Sequence, residues 1–258
     1  MDLQEKGHRR IRERLGEDPT HLPQRCGVFG CSRPTQRAAR QGLSPDTCRF
    51  HIQRAARHGS PWAPSLKAAD LRPYVKVALR IIRDLRELPQ VAHTHQRLQA
   101  VLDSAGGVLP AHRVKHRSQR VKARMCFARL HKAGVRAERL LAIHMGVCAA
   151  IEDDRMAHRG SDEYRIVQVA KAAHRLASGM NKRLDLGTER PEFWHFYPRS
   201  SGRVLRVIGR DIEEAIGGPL GGETLEELRE RKAQRYGPHP TRLLTWVPPW
   251  QRYRAGAA

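Results

Sequence analysis

The sequence has no apolar run near the ~20 residues that a membrane-spanning helix needs. Its longest candidate, "LLAIHMGVCAAI", is short and is interrupted by His144. The first residues, "MDLQEKGHRRIRERLGEDP", have no apolar core and do not read as a secretory signal. There is no Gly-rich phosphate loop, no G-x-S-x-G motif and no internal repeat. The five cysteines, an odd number, do not suit a disulfide framework. Together these absences predict a cytoplasmic chain whose thiols stay reduced, with metal ligation or simple burial as the uses of cysteine. Carboxylates are also scarce. Asp and Glu number 26 against 48 Lys and Arg, a net charge of +22. Such an excess predicts a polyanionic partner, and without a spanning segment nucleic acid is the partner expected rather than a membrane. A DNA-binding chain of this kind would sit on the nucleoid.

Residues 1–22 are charged and read as a short helix or a frayed arm. From Pro23 to Trp62 the chain is rich in Gly, Pro, Ser and Cys and poor in large apolar residues. So short a segment cannot build a core of its own, and something other than apolar burial must hold it. From 63 to 240 the pattern turns helical. Leu66, Leu71, Val75, Leu79 and Ile82 mark a helix over 66–87, stopped by Pro89. A second is expected over 91–103, ended by Gly106-Gly107. A third is expected over 109–133, with Val114, Ser118, Val121, Met125 and Ala128 on a narrow stripe. Residues 135–152 are apolar on most faces and should be central. Ser161 can cap a further helix carrying Ile166, Val169, Ala173, Leu176 and Met180 on one side. Two more are expected over 203–216 and from Thr224, where "TLEE" places Glu227 at capping-box spacing. The tail, 241–258, contains two prolines and should be extended. No strand is expected outside the cysteine-rich segment.

Two close pairs of donors stand in that segment. Cys26 and Cys31 flank "GVFG", and Cys48 and His51 flank "RF". Three thiols and one imidazole in two pairs match the ligand set of a structural zinc site. Gly27 and Gly30 give the first pair the backbone freedom to wrap an ion. The second pair, one turn apart at a helix start, points both side chains to one side. A segment without a core would then take its folding free energy from the metal. Cys126 and Cys148, on expected helices among apolar residues, read as buried thiols.

The stretch "CGVFGC…GLSPDTCRFHIQRAARHGSPW" resembles a small zinc-binding module of phage and other mobile-element proteins. The matching positions are Cys26, Cys31, Gly42, Cys48, His51, Arg54, Arg57, His58, Gly59 and Pro61. The resemblance implies a closed, structural zinc and an origin in a phage, plasmid or integrated element. Relatives with this module often carry an HNH-type nuclease domain, but no strand-rich stretch bearing the needed His and Asn follows it here. The fold class expected is mainly α: a zinc-stapled, treble-clef-like module of residues 23–62 followed by a multi-helix bundle.

Several residues are candidates for function. Arg54, Arg57 and His58 follow the ligands along one helix and would meet phosphates from a rigid support. Residues 111–132 hold eight Lys or Arg, three His and no acid. Arg113, Arg117, Arg120 and Arg124 would share one face of a continuous helix, and a polyanion would relieve their repulsion. "HKAGVRAERLLAIHMG" has the look of a helix-turn-helix, but its second half is so apolar that a buried helical hairpin is the stronger expectation. Residues 152–163 concentrate Glu152, Asp153, Asp154, His158, Asp162 and Glu163, which could hold Mg²⁺ for phosphodiester hydrolysis, although Asp162 and Glu163 also suit the N-terminus of the next helix. Trp246, Trp250 and Tyr253 of the tail can pack on their own domain, stack on bases or dock a partner protein. The reading expected is a zinc-binding, nucleic-acid-binding protein, DNA before RNA. A Mg²⁺-dependent nuclease or recombination factor and a protein–protein adaptor are the alternatives.

Overall fold

The computed structural model describes residues 25–35, 37–38, 42–43, 46–109, 111–154, 162–177, 182–184, 192–194, 200–217 and 222–240. The arm of 1–22, His158, Ser161, Met180 and the tail with Trp246, Trp250 and Tyr253 lie outside them. Contacts divide the chain into two units, Met1–Ala55 and Ala56–Ala258.

In the first unit a tight turn runs from Cys26 to Cys31, closed by a hydrogen bond from the Cys31 N–H to the Val28 carbonyl at 2.9 Å. Gly30 sits in this turn at φ +75°, a left-handed conformation that a side chain would strain. The Cys26 N–H donates to the Arg33 carbonyl at 2.9 Å, and the Gly27 N–H to the Asp46 carbonyl at 2.8 Å. A short antiparallel pair follows, β1 (Arg37–Ala38) with β2 (Gly42–Leu43), registering Arg37 with Leu43. Helix α1 (Arg49–His58) starts one residue after Cys48. Turn, hairpin and helix thus come in the treble-clef order. Among the described residues of this unit, the buried apolar ones are Cys26 and Cys48. Phe29 and Phe50 are exposed.

The second unit is a helical bundle, so the chain is mainly α, as the sequence predicts. Its helices are α2 (Ala68–Asp84), α3 (Pro89–Asp103), the short α4 (Ala111–Val114), α5 (Gln119–Lys132), α6 (Ala137–Asp153), α7 (Asp162–Ala177), α8 (Gly202–Ile216) and α9 (Gly222–Tyr236). The apolar helix α6 is central and packs on α2, α3, α7 and α9. Gly146 lets α6 pack tightly on α2: an added Cβ there would lie 2.9 Å from the Val75 side chain. Helix α8 covers α7, α5 and α3 with Val204, Leu205, Ile208, Ile212 and Ile216, a stripe at three- and four-residue spacing. Each such side chain, fully buried, contributes about 1.5–3 kcal/mol. Among the described residues, no helix is long and apolar enough to cross a membrane.

The structure corrects several details. The helix expected over 109–133 is broken: α4 ends at Val114, and α5 starts anew after Ser118, whose hydroxyl accepts from the Val121 N–H at 3.4 Å. Ser118 is therefore a cap, not part of an apolar stripe. Pro89 does not merely stop a helix; it occupies the first turn of α3, where its missing N–H costs nothing. Helix α9 begins at Gly222, so Thr224 lies inside it, and Glu227 pairs with Arg231 at 2.6 Å instead of closing a capping box. A short antiparallel ribbon joins β3 (Lys182–Leu184) to β4 (Glu192–Trp194), where no strand was expected. Three-residue strands are too short to show a period-two pattern.

Candidate metal centre and basic surfaces

The turn and the first residues of α1 bring four donor atoms together. Cys26 Sγ lies 3.2 Å from His51 Nδ1, Cys48 Sγ lies 3.4 Å from the same nitrogen, and Cys31 Sγ lies 4.0 Å from Cys48 Sγ. All four atoms are within 4.8 Å of one another. A tetrahedral ion with bonds of about 2.3 Å to sulfur and about 2.0 Å to nitrogen separates its ligands by roughly 3.5–3.8 Å. The donor set therefore has the size of a tetrahedral coordination shell and can hold a metal ion. None of the cysteines is in a disulfide. No other group of three or more His, Cys, Asp or Glu is so placed among the described residues.

The protonation states differ among the donors: the Arg33 N–H favours the Cys31 thiolate, but burial and the neighbouring Cys26 and Cys48 outweigh it and push that thiol up. Burial would raise the Cys48 thiol, but the N–H groups of His51 and Phe50 and the neighbouring sulfurs favour its thiolate, and the net shift is downward. Burial, then the charges of Arg54 and Arg33, lower His51 and keep its imidazole neutral, the form that binds metal. Arg33 also lies over the Phe50 ring, 4.6 Å from its centre, and Phe50 meets His51 edge-on at 5.1 Å.

The basic residues singled out from sequence fall in different settings. Arg54 is half-buried and Arg57 exposed on α1. His58 is built into the second unit, its carbonyl accepting from Gln168 Nε2 at 2.9 Å. Arg113, Arg117, Arg120 and Arg124 are all exposed, but they do not line one helix face. Arg113 is on α4. Arg117 is in the connecting turn, where its Nε donates to the Arg113 carbonyl at 3.4 Å. Only Arg120 and Arg124 share a face of α5. Lys115 and His116 in the same turn are exposed too and were not selected from sequence. The signal that could have found them was Ser118, a capping residue that starts a helix and ends the preceding one.

The turn at Gly134 is a helix terminus, with the Val135 N–H donating to the Leu130 carbonyl at 3.0 Å. Leu140, Leu141, Ile143 and Val147 of the helix that follows are buried, which excludes α6 as a groove-reading helix. Nor do α5 and α6 form a paired hairpin: α5 packs chiefly on α8, and α6 on α2. Cys126 is buried in the bundle and Cys148 half-buried against it, and burial pushes their thiols up to about 11 and about 12.

The acidic concentration is tied into the bundle. Tyr74 Oη donates to Asp153 Oδ2 at 2.8 Å. Arg229 of α9 donates to Asp153 Oδ1 at 3.3 Å and to Glu152 Oε2 at 3.4 Å. The Lys232 ammonium lies 4.7 Å above the Tyr74 ring. Asp153 is buried, and its carboxylate joins α2, α6 and α9. These partners lie far off in sequence, and local pattern gave no sign of them. Asp154 ends α6 as its cap residue.

No family model matches the chain, and none of the curated proteins or solved structures compared with it is significantly similar.

Proposed function

We propose that the chain is a zinc-binding protein that binds nucleic acid, DNA in preference to RNA, and that it serves a phage, plasmid or other mobile element. Three thiolates and one imidazole at tetrahedral spacing suit zinc, and with four protein ligands the ion has no open position, so its role is structural. The mobile-element origin rests on the resemblance of residues 26–61 to the small zinc module.

The observation that carries nucleic-acid binding is the run of exposed cations Arg113, Lys115, Arg117, Arg120 and Arg124, in a stretch with no carboxylate between Asp103 and Glu138. Exposed cations of this density favour a polyanion, because binding releases its counterions, although Arg120 also faces the carboxylate of Asp211 on α8. A nuclease reading draws less support. Glu152 and Asp153 already hold Arg229 and Tyr74. The test is a titration of labelled duplex DNA with the metal-loaded chain, competed by duplex RNA of the same sequence and repeated with Mg²⁺. The proposal predicts a salt-sensitive complex with intact DNA that RNA displaces weakly. Mg²⁺-dependent cutting would replace it with the enzyme reading. The absence of any complex would leave the adaptor reading, in which Phe29, 76% exposed at the tip of the metal turn, faces a protein.

A further inference from the structure

A second cationic feature lies along α7, outside the residues selected from sequence. Gln168, only 1% exposed, fixes the segment that crosses this helix. Its Nε2 donates to the His58 carbonyl at 2.9 Å. Its Oε1 accepts from the Leu66 N–H at 3.0 Å and from the Ser65 hydroxyl at 3.2 Å. Within this segment the left-handed Gly59 passes so close to α7 that a Cβ would lie 2.5 Å from the Glu163 carbonyl. The segment 58–66 is thus seated on α7 by a buried amide and by a residue that tolerates no side chain.

Lys171, half-buried, stands at the centre of this seat. Its ammonium donates to Ser65 Oγ at 3.2 Å and meets His58 Nδ1. An ammonium has three N–H groups, so one remains for a further acceptor. One helical turn on, Arg175 donates to the Leu66 carbonyl at 2.9 Å and adds a second positive charge. Burial, then the charge of Arg175, hold Lys171 down at about 8. Holding this ammonium costs desolvation and repulsion, and an anion would offset both.

We infer that Lys171, oriented by Ser65 and His58 and seconded by Arg175, is a phosphate-binding residue. The fit is to a tetrahedral oxyanion, since an ammonium and a guanidinium one turn apart can each address a different oxygen of one phosphate. That the phosphate is a nucleic-acid phosphodiester rests on the function proposed above; that the corner takes a phosphate does not.

Two measurements on the metal-loaded full chain separate these claims. In the first, inorganic phosphate is titrated while the amide signals of Ser65 and Lys171 and the His58 ring are followed by NMR. These signals shift in the wild type and stay fixed in Lys171→Met. In the second, duplex DNA affinity is measured across a salt series. Lys171→Met should bind several-fold more weakly, with a log–log salt slope shallower by about 0.9, while Lys171→Arg keeps the slope. Signals unmoved by phosphate, with a wild-type slope in Lys171→Met, overturn the site and leave DNA binding standing. Signals that move in a wild type without affinity for DNA uphold the site and remove the nucleic-acid carrier. The wild-type titration needs no substitution, so a variant that fails to fold does not shield the inference.

Discussion

His51 Nδ1 lies 3.2 Å from Cys26 Sγ, although 25 residues separate them in the chain. Apolar burial does not explain the approach, because Cys26 and Cys48 are the buried apolar residues described in that unit. The bonds from Cys26 to Arg33 and from Gly27 to Asp46 position the turn but leave it without a core. A metal ion held by the four donors would supply the missing free energy, which for structural zinc amounts to about 10 kcal/mol or more at neutral pH.

One zinc per chain is therefore expected by elemental analysis. Cobalt substitution should give the absorption of a tetrahedral S₃N site. Cys48→Ser loses the ion and the ordered signals of residues 25–35 and 46–50, while the far-ultraviolet circular dichroism of the bundle persists. Affinity falls as pH is lowered, because thiols and imidazole must release protons to bind. A Cys48→Ser chain that keeps one tightly held metal contradicts this account.

Asp153→Asn should destabilise the bundle by about 3 kcal/mol, the lower end of the cost of removing one partner from a buried ion pair. Arg229 keeps Glu152 at 3.4 Å, which limits the loss. The denaturant midpoint should drop with an unchanged slope. An unaltered midpoint would show that the carboxylate is not structural and would reopen a catalytic role.

Acid should weaken the bundle through His144. Burial, with Arg165 nearby, holds its folded value down to about 4 against an ordinary 6.5. Glu213 is 3.9 Å from the ring but is already paired with Arg165 at 2.8 Å. With the folded value depressed, the unfolded chain takes up the proton first. Stability is full above pH 6.5 and falls as pH drops toward 4, by on the order of 3 kcal/mol. His144→Asn should flatten that part of the pH–stability curve. A variant curve as steep as the wild type would assign the effect elsewhere, His174 being the other histidine that burial lowers to about 4.

The metal ligands were legible because each pair is local: Cys26 with Cys31 across one turn, Cys48 with His51 within one. The apolar stripe of 203–216 was legible for the same reason. The break at Ser118 was not, since "VKHRSQRV" contains no Gly or Pro, and a capping serine is easily read through when the flanking apolar spacing continues. Arg229 on Asp153 and Gln168 on His58 were invisible, because such pairs depend on how the helices pack. Lys171 was passed over for a related reason: one lysine on an amphipathic helix says nothing until His58 and Ser65 are beside it.

Arg120→Gln and Arg124→Gln should each weaken duplex binding to a similar degree for every sequence tested, with the salt slope shallower by about 0.9 per charge. Phosphate contacts position a protein without reading bases. A loss confined to one target sequence would instead make these arginines base readers.

The most direct test is the affinity of the metal-loaded chain for duplex DNA as salt is raised. The account predicts a steep linear fall of log affinity with log salt, steep enough for several neutralised phosphates, and a weaker complex for Cys48→Ser. No binding at low salt, or binding indifferent to salt, would contradict it.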